Sequence, residues 1–362
     1  MTDLTKLACK HVQALEPYQS ARRIGGHGHT FLNANEAPKS EFYIFNSTTL
    51  NRYPDCQPFE VVQAMADYVG LRRDQVLVTR GSDEALGLII RTFCEVGEGI
   101  VIAPPTYGMY EIAATTNRAQ TFYATRKDNF GLDYEVIATA LQAAPFKVKA
   151  VFIDSPANPL GQLFAHEDLK RLLTDFPEVL FVMDEAYIEF KPEASCVGLI
   201  NDYANLIVTR TLSKAFALAG IRCGFALAHP EIVALMTKVI DPYPIPDPVA
   251  QIAKQALARG GIELMRERVA KTVELRQKFE HSLQELMTGE NALVKRVYPS
   301  CANYLLIEFN DGPKVFNAMV QKGIILRSFE TKPGLKNCIR ITIGSPEELD
   351  EVMRTLTALA NA

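Results

Sequence analysis

LIVTRTLSK, residues 206–214, is a short apolar run that ends in an arginine, two hydroxyl residues and a lysine. A run this short, apolar at successive positions, is what a strand buried on both faces of a sheet requires. Runs of the same kind recur on either side of it, at 76–79 (VLVT), 100–103 (IVIA), 150–153 (AVFI), 180–183 (LFVM) and 223–227 (CGFAL). Helical patterns lie between them, such as Leu169, Leu172, Leu173 and Phe176 at i, i+3, i+4 and i+7, and Val61, Met65 and Tyr68 earlier. Strand and helix in turn predict an α/β fold with a mostly parallel, doubly wound sheet.

Beyond this alternation the pattern changes. PYPIPDP at 242–248 places prolines at alternate positions, which neither a helix interior nor a central strand accommodates, so it is expected to separate domains. A long amphipathic helix is predicted over roughly 250–288, then strands at 303–308, 324–327 and 338–343 and a closing helix from about 346. This gives an N-terminal arm over 1–30, a large domain over 31–245 and a smaller α+β domain over 246–362. The arm, with Gly25, Gly26 and Gly28, is expected to need another surface for its order.

Bulk properties exclude several classes. A chain of 362 residues with 48% hydrophobic and 22% charged residues has material for a sizeable core and little for long disorder. A formal net charge of -4 argues against a nucleic-acid binder. Seven cysteines, an odd number at irregular spacing with no C-x-x-C pair, fit a reducing compartment. No signal-like apolar segment opens the chain and no run approaches the ~18 apolar residues of a membrane span, so a cytoplasmic protein is expected. His27 and His29 have no third ligand near them in sequence, and no metal site is expected.

Ligands of open parallel sheets sit beyond the carboxyl ends of the strands, so the residues after each run are the candidates. VLVT leads to Gly81, Ser82 and Asp83 and then a helix, whose first N–H groups can hold an anion, although the same triplet is also a common turn and cap. IVIA leads to Tyr107, either a packing aromatic or a ring for stacking. AVFI leads to the loop containing Asn158. LFVM ends in Asp184 and Tyr187, and an Asp there needs a cation, either a structural salt bridge or the protonated ring nitrogen of a cofactor. LIVT leads to Ser213 and Lys214, with Arg222 eight residues later. A lysine partly desolvated at a strand end can become a nucleophile. Lysine, acid, anion nest and tyrosine at one sheet edge together match the needs of pyridoxal phosphate chemistry.

These residues also carry a family likeness. The chain resembles the fold-type I aminotransferases, and among them the histidinol-phosphate branch. The likeness rests on PYQSAR (17–22), LNANE (32–36), NRYPDCQP (51–58), GSDEAL, PPTYGMY, NPLGQL (158–163), DEAYIEF (184–190), TLSKAFALAGIRCGF (211–225), PYPIPDP and IRITIG (339–344). It implies Lys214 as the lysine bonded to pyridoxal 5'-phosphate and as proton carrier, with Asp184 at the ring nitrogen. Asn158 and Tyr187 would face the 3-oxygen and Tyr107 the ring. Ser82, Asp83, Ser213 and Arg222 would hold the phosphate, helped by Tyr53 of a second copy in a homodimer with shared sites. Arg340, with Arg327 and Tyr18, would bind the anionic end of the substrate. One departure is visible: Leu160 stands where the family usually has Thr in Asn-Pro-Thr-Gly, and a small change in packing is expected.

The activity so implied is amino transfer between histidinol phosphate and 2-oxoglutarate, giving glutamate, within histidine biosynthesis. An aromatic amino acid aminotransferase and a phosphothreonine decarboxylase share the lysine and aspartate and differ in the side-chain pocket. A DNA-binding regulator built on this fold would need an extra domain, for which the ~30 residues ahead of the first motif are too few.

Overall fold

The computed structural model describes residues 4–24, 27–288 and 292–361, so Gly25 and Gly26 of the arm lie outside the described residues. In chain order the strands are β1 (Thr30–Phe31), β2 (Val76–Thr79), β3 (Gly99–Ile102), β4 (Gln120–Tyr123), β5 (Val148–Asp154), β6 (Leu180–Asp184) and β7 (Leu206–Thr211). They continue with β8 (Gly224–Ala228), β9 (Val294–Tyr298), β10 (Tyr304–Phe309), β11 (Ile324–Ile325), β12 (Arg327–Ser328) and β13 (Cys338–Thr342).

The large sheet has the order β2-β8-β7-β6-β5-β3-β4. All its pairings are parallel except those of β8, which is antiparallel to both β2 and β7. Side chains alternate between two cores, as the doubly apolar runs require. Val101, Val151, Ile153, Phe181, Met183 and Val208 pack on one face, and Ile100, Ala150, Phe152, Val182 and Ile207 on the other. The antiparallel course of β8 matters for the site. It brings the start of that strand, and Arg222 just before it, to the edge where the parallel strands end. An apolar run reads the same in either direction, so the sequence does not reveal this reversal.

The second sheet, β12-β13-β10-β9, is antiparallel and packs helices Arg259–Gln284, Gly312–Gln321 and Pro346–Ala360 against it. The last helix opens with a reciprocal cap between Ser345 and Glu348. Three expectations for this region change. The single helix over 250–288 is two, Asp247–Leu257 and Arg259–Gln284, broken at Ala258, which has extended dihedrals. At that corner Gly261 approaches the preceding turn so closely that a Cβ would lie 2.4 Å from the Ala256 oxygen. The proline run also enters the first of these helices, because Pro248 occupies its first turn, where no N–H partner is lost. The run 324–327 is likewise not one strand: Ile324 and Ile325 pair in parallel with Thr30 and Phe31, while Arg327 pairs with Arg340. Leu32, just after β1, is buried in the core of this second sheet.

Candidate active site

Lys214 follows β7 by three residues and is half-buried, with Nζ donating to the Ala34 oxygen at 2.8 Å. Nζ lies 5.7 Å from the centre of the Tyr187 ring. Burial, and then the nearby Arg340 guanidinium, pull its pKa from 10.5 down to about 8, against the pull of Glu36 and Asp83. At pH 7 about a tenth of such amines are neutral, against a few in ten thousand at the ordinary value. A neutral amine of this kind can act as a nucleophile.

Asp184 ends β6, buried, with both oxygens engaged. Oδ2 accepts from the Tyr110 hydroxyl at 2.9 Å, and Oδ1 from the Thr209 hydroxyl at 3.0 Å and the Ala186 N–H at 3.2 Å. Burial pushes its carboxyl up to about 6, while Tyr110 and Thr209 act to lower it. Among the described residues no Lys, Arg or His forms an ion pair with it. The structural salt bridge left open by the sequence belongs instead to its neighbour Glu185, which pairs with Arg210 at 2.8 Å. A buried carboxylate held in place with no cationic partner suits the protonated nitrogen of a ring.

Tyr110 and Thr209 are the site residues that sequence reading missed. Signals for both exist: Thr209 is the register partner of Asp184 across the β6–β7 ladder, and Tyr110 lies three residues beyond Tyr107 at the start of helix Met109–Thr116.

At the β2 end, helix Ser82–Phe93 starts from Gly81 at φ 76°, and no side chain caps it. Arg222, itself at φ 54°, donates through Nη1 to Ser213 Oγ at 3.3 Å and through Nη2 to Asp83 Oδ2 at 3.0 Å. A Cβ on Gly81 would lie 2.6 Å from Arg222 Nη2, and one on Gly224 would lie 2.4 Å from the Ser82 nitrogen. Only glycine lets these donors converge, and an uncapped helix start beside an arginine and a serine suits an anion such as phosphate. Asp83 also accepts from the Tyr107 hydroxyl at 2.9 Å.

Tyr187 is buried, its oxygen accepting from Asn35 Nδ2 at 2.9 Å, so its own proton remains free to donate. Burial pushes its pKa up to about 12. Asn158 is anchored through its N–H to Asp154 Oδ2 at 2.8 Å. Its Oδ1 accepts from Arg340 Nη1 at 2.5 Å, which leaves its amide N–H groups for another acceptor.

The second sheet supplies a separate cationic end. Arg340 and Arg327 face each other across β13 and β12. Arg340 is buried, donates to the Asn33 oxygen at 2.8 Å, lies 5.2 Å from the Tyr304 ring centre, and its Nε has no partner. Arg327 donates to the Gln19 oxygen at 2.9 Å and leaves Nη1 unpartnered. Among the described residues neither forms an ion pair. Tyr18 meets Tyr107 edge-on at 6.0 Å, and its pKa, raised by burial, is drawn back by Arg327 and Arg340.

Tyr53 stands apart: it is 80% exposed and stacks on Tyr243 at 4.4 Å. Leu160 is fully buried among Ala157, Tyr298, Leu306, Leu335 and Cys338, while Gly161 keeps the turn at φ 74°. The leucine therefore joins the Asn158 loop to the second sheet by apolar contact. His29 meets Glu351 at 2.7 Å.

Residues 25–356 match the family described as aminotransferase class I and II. The chain belongs to this family. The aminotransferase is 52% identical over 358 residues to the histidinol-phosphate aminotransferase of Aeromonas hydrophila subsp. hydrophila, covering 98% of each chain. The histidinol-phosphate aminotransferase structure from Clostridium acetobutylicum matches it with a TM-score of 0.81 and 25% identity, over 92% of this chain and 99% of that one. That from Sinorhizobium meliloti, solved in complex with pyridoxal-5'-phosphate, matches with a TM-score of 0.82 and 23% identity, over 98% and 97%. Its fold is therefore the fold-type I aminotransferase fold. Among the described residues of the aminotransferase no helix is long and apolar enough to cross a membrane.

Proposed function

We propose that the chain moves the amino group of L-histidinol phosphate to 2-oxoglutarate, using pyridoxal phosphate, as a cytoplasmic homodimer in histidine biosynthesis. The observation that carries this reading is the presence of two cationic sites of different build, the second of them with buried N–H groups that have no partner. The first, at Gly81, Ser82, Ser213 and Arg222, lies at the edge of the large sheet. The second, at Arg340 and Arg327, lies on the smaller sheet and holds buried guanidinium N–H groups with no partner. A cofactor phosphate suits the cradle, and a substrate that ends in phosphate or carboxylate suits the paired arginines. The 52% identity to a histidinol-phosphate aminotransferase supports the same substrate.

When bound, pyridoxal phosphate supplies a carbon that receives and returns nitrogen and a ring that accepts the electron pair left as a Cα proton departs. The chain supplies the rest. Lys214 Nζ would hold the group covalently at that carbon and would move the proton. Asp184, held by Tyr110 and Thr209, would keep a proton at the ring nitrogen. Tyr187 and Asn158 would donate to the group's 3-oxygen, and Tyr107 would pack on its ring. The test is glutamate formation from L-histidinol phosphate and 2-oxoglutarate, with tyrosine and phenylalanine as competing donors. Carbon dioxide released without a keto acid would point to a decarboxylase instead.

Arg327 is expected to serve phosphate more than carboxylate, since its spare Nη1 adds a donor beside the clamp formed by Arg340. Arg327→Ala should then lower kcat/KM for histidinol phosphate beyond its effect on glutamate by roughly 1.5 to 3 kcal/mol, measured on each half-reaction. Equal losses would remove Arg327 from phosphate recognition.

Tyr53, exposed and distant in sequence from the other cofactor residues, is read as reaching the site of a second copy. Tyr53→Ala and Lys214→Ala chains, each inactive alone, should recover about a quarter of wild-type sites when mixed equally, because each hybrid dimer holds one intact site. No recovery after proven subunit exchange would place Tyr53 elsewhere.

A further inference from the structure

A buried ionic cluster lies beneath the site. Arg210 donates through Nε to Glu185 Oε2, through Nη1 to Glu189 Oε1 and through Nη2 to Ser195 Oγ, each at 2.8 Å. Ser195 Oγ donates in turn to Glu185 Oε2 at 2.9 Å, and the Cys196 N–H donates to Glu185 Oε1 at 2.5 Å. Glu189 Oε2 is buried without a partner. Such a cluster is a poor device for stability, because desolvating three charges offsets most of their attraction, and apolar side chains of similar volume commonly serve as well. Its arrangement is better suited to fixing position.

Glu185, Glu189 and Ser195 all come from the segment that follows β6, and the two acids flank Tyr187 at two residues on either side. Between them the chain turns tightly, with Ile188 N–H on the Glu185 oxygen at 3.1 Å and Phe190 N–H on the Tyr187 oxygen at 3.1 Å. On β7 side chains alternate, so Thr209 points one way and holds Asp184, while Arg210 points the other way and holds Glu185. The chain then leaves this strand at Thr211 and reaches Lys214 three residues later. One strand therefore sets two consecutive residues of its neighbour and the hydroxyl beyond them.

We propose that Arg210 is a positioning residue that fixes the Tyr187 hydroxyl against Lys214 and the cofactor by gripping Glu185 and Glu189. This rests on the reading that Tyr187 faces the cofactor's 3-oxygen. The Tyr187 ring is steadied on its other side by Tyr304, edge-on at 5.2 Å, so slack in the turn displaces the hydroxyl more than the ring.

The test uses the visible absorption band of the holoenzyme, whose pH midpoint follows the proton shared between the Lys214 nitrogen and the 3-oxygen. Donation from Tyr187 makes that oxygen less basic, so losing it raises the midpoint. Arg210→Met, which keeps apolar volume, should raise the midpoint by about one pH unit and lower kcat roughly tenfold with KM little changed. In a Tyr187→Phe background, Arg210→Met should raise the midpoint no further. Should Arg210→Met fail to fold, Glu189→Gln, which retains an acceptor but not the charge, should move the midpoint in the same direction by less. An unmoved midpoint, or an equal added rise in the Tyr187→Phe background, overturns the proposal alone. A wild-type chain that develops no such band with pyridoxal phosphate overturns the cofactor reading, and this proposal with it.

Discussion

Lys214→Ala is expected to abolish transamination, by at least about 10,000-fold, because in the proposed function one side chain serves as both nucleophile and proton carrier. The fold should survive the change. In the apo protein the lysine's charged form is disfavoured, its pKa falling from 10.5 to about 8. The side chain therefore costs stability below pH about 8, and that cost fades as pH rises toward 10.5. The apo variant should accordingly melt no lower than the apo wild type near neutral pH, and a calorimetric scan of the two checks this. The same pKa sets the capture of cofactor. Wild-type apo protein mixed with pyridoxal phosphate should react about tenfold faster per pH unit below 8 and level off above it, as the neutral fraction saturates. Near-wild-type turnover in the variant would remove Lys214 from the chemistry.

Most of this site was legible because the strands that carry it are buried on both faces. Such strands have no polar face to confuse the reading, and the polar residues after each run mark where the chain leaves the sheet at the ligand-binding edge. Strands that break this rule were not read. β4, QTFY, is an edge strand with no fully buried residue, and β9, VKRVY, alternates charge with apolar residues. The split of the long helix at Ala258 was hidden because the apolar periodicity continues across the corner, and only Gly260 and Gly261 mark it.

Residues whose function depends on a partner were the least legible. Asp184 and Glu185 are adjacent acids, and which of them meets a cation depends on which face of β7 presents Arg210. Tyr110 reads as core, and it is fully buried, yet its hydroxyl is spent on Asp184. Arg222 was found through its motif. Its approach to Ser82 and Ser213 nevertheless requires the reversed direction of β8 and the bare backbone of Gly81 and Gly224.

Asp184→Asn carries the second largest expected loss. Asn has nearly the shape of Asp, so the Tyr110 and Thr209 hydroxyls can rotate to keep their contacts and the cofactor should stay bound by the phosphate cradle and Lys214. What disappears is charge. Burial holds the carboxyl at about 6, and among the described residues no cation balances it. A protonated ring nitrogen placed against it would favour the ionised form and be favoured in return, while an amide offers only a dipole. The ring would then lose its proton, and with it the means of accepting the electron pair from Cα. Removing one preorganised electrostatic partner of this kind costs on the order of 100- to 1,000-fold in the chemical step. The expected result is a variant that binds pyridoxal phosphate at close to wild-type stoichiometry but whose single-turnover rate with histidinol phosphate falls by that factor. Because the deficit is one of protonation, it should shrink as pH is lowered toward the range in which the ring nitrogen can take a proton without help. A single-turnover rate equal to wild type would leave Asp184 as a structural acid held by Tyr110 and Thr209, with no part in the reaction.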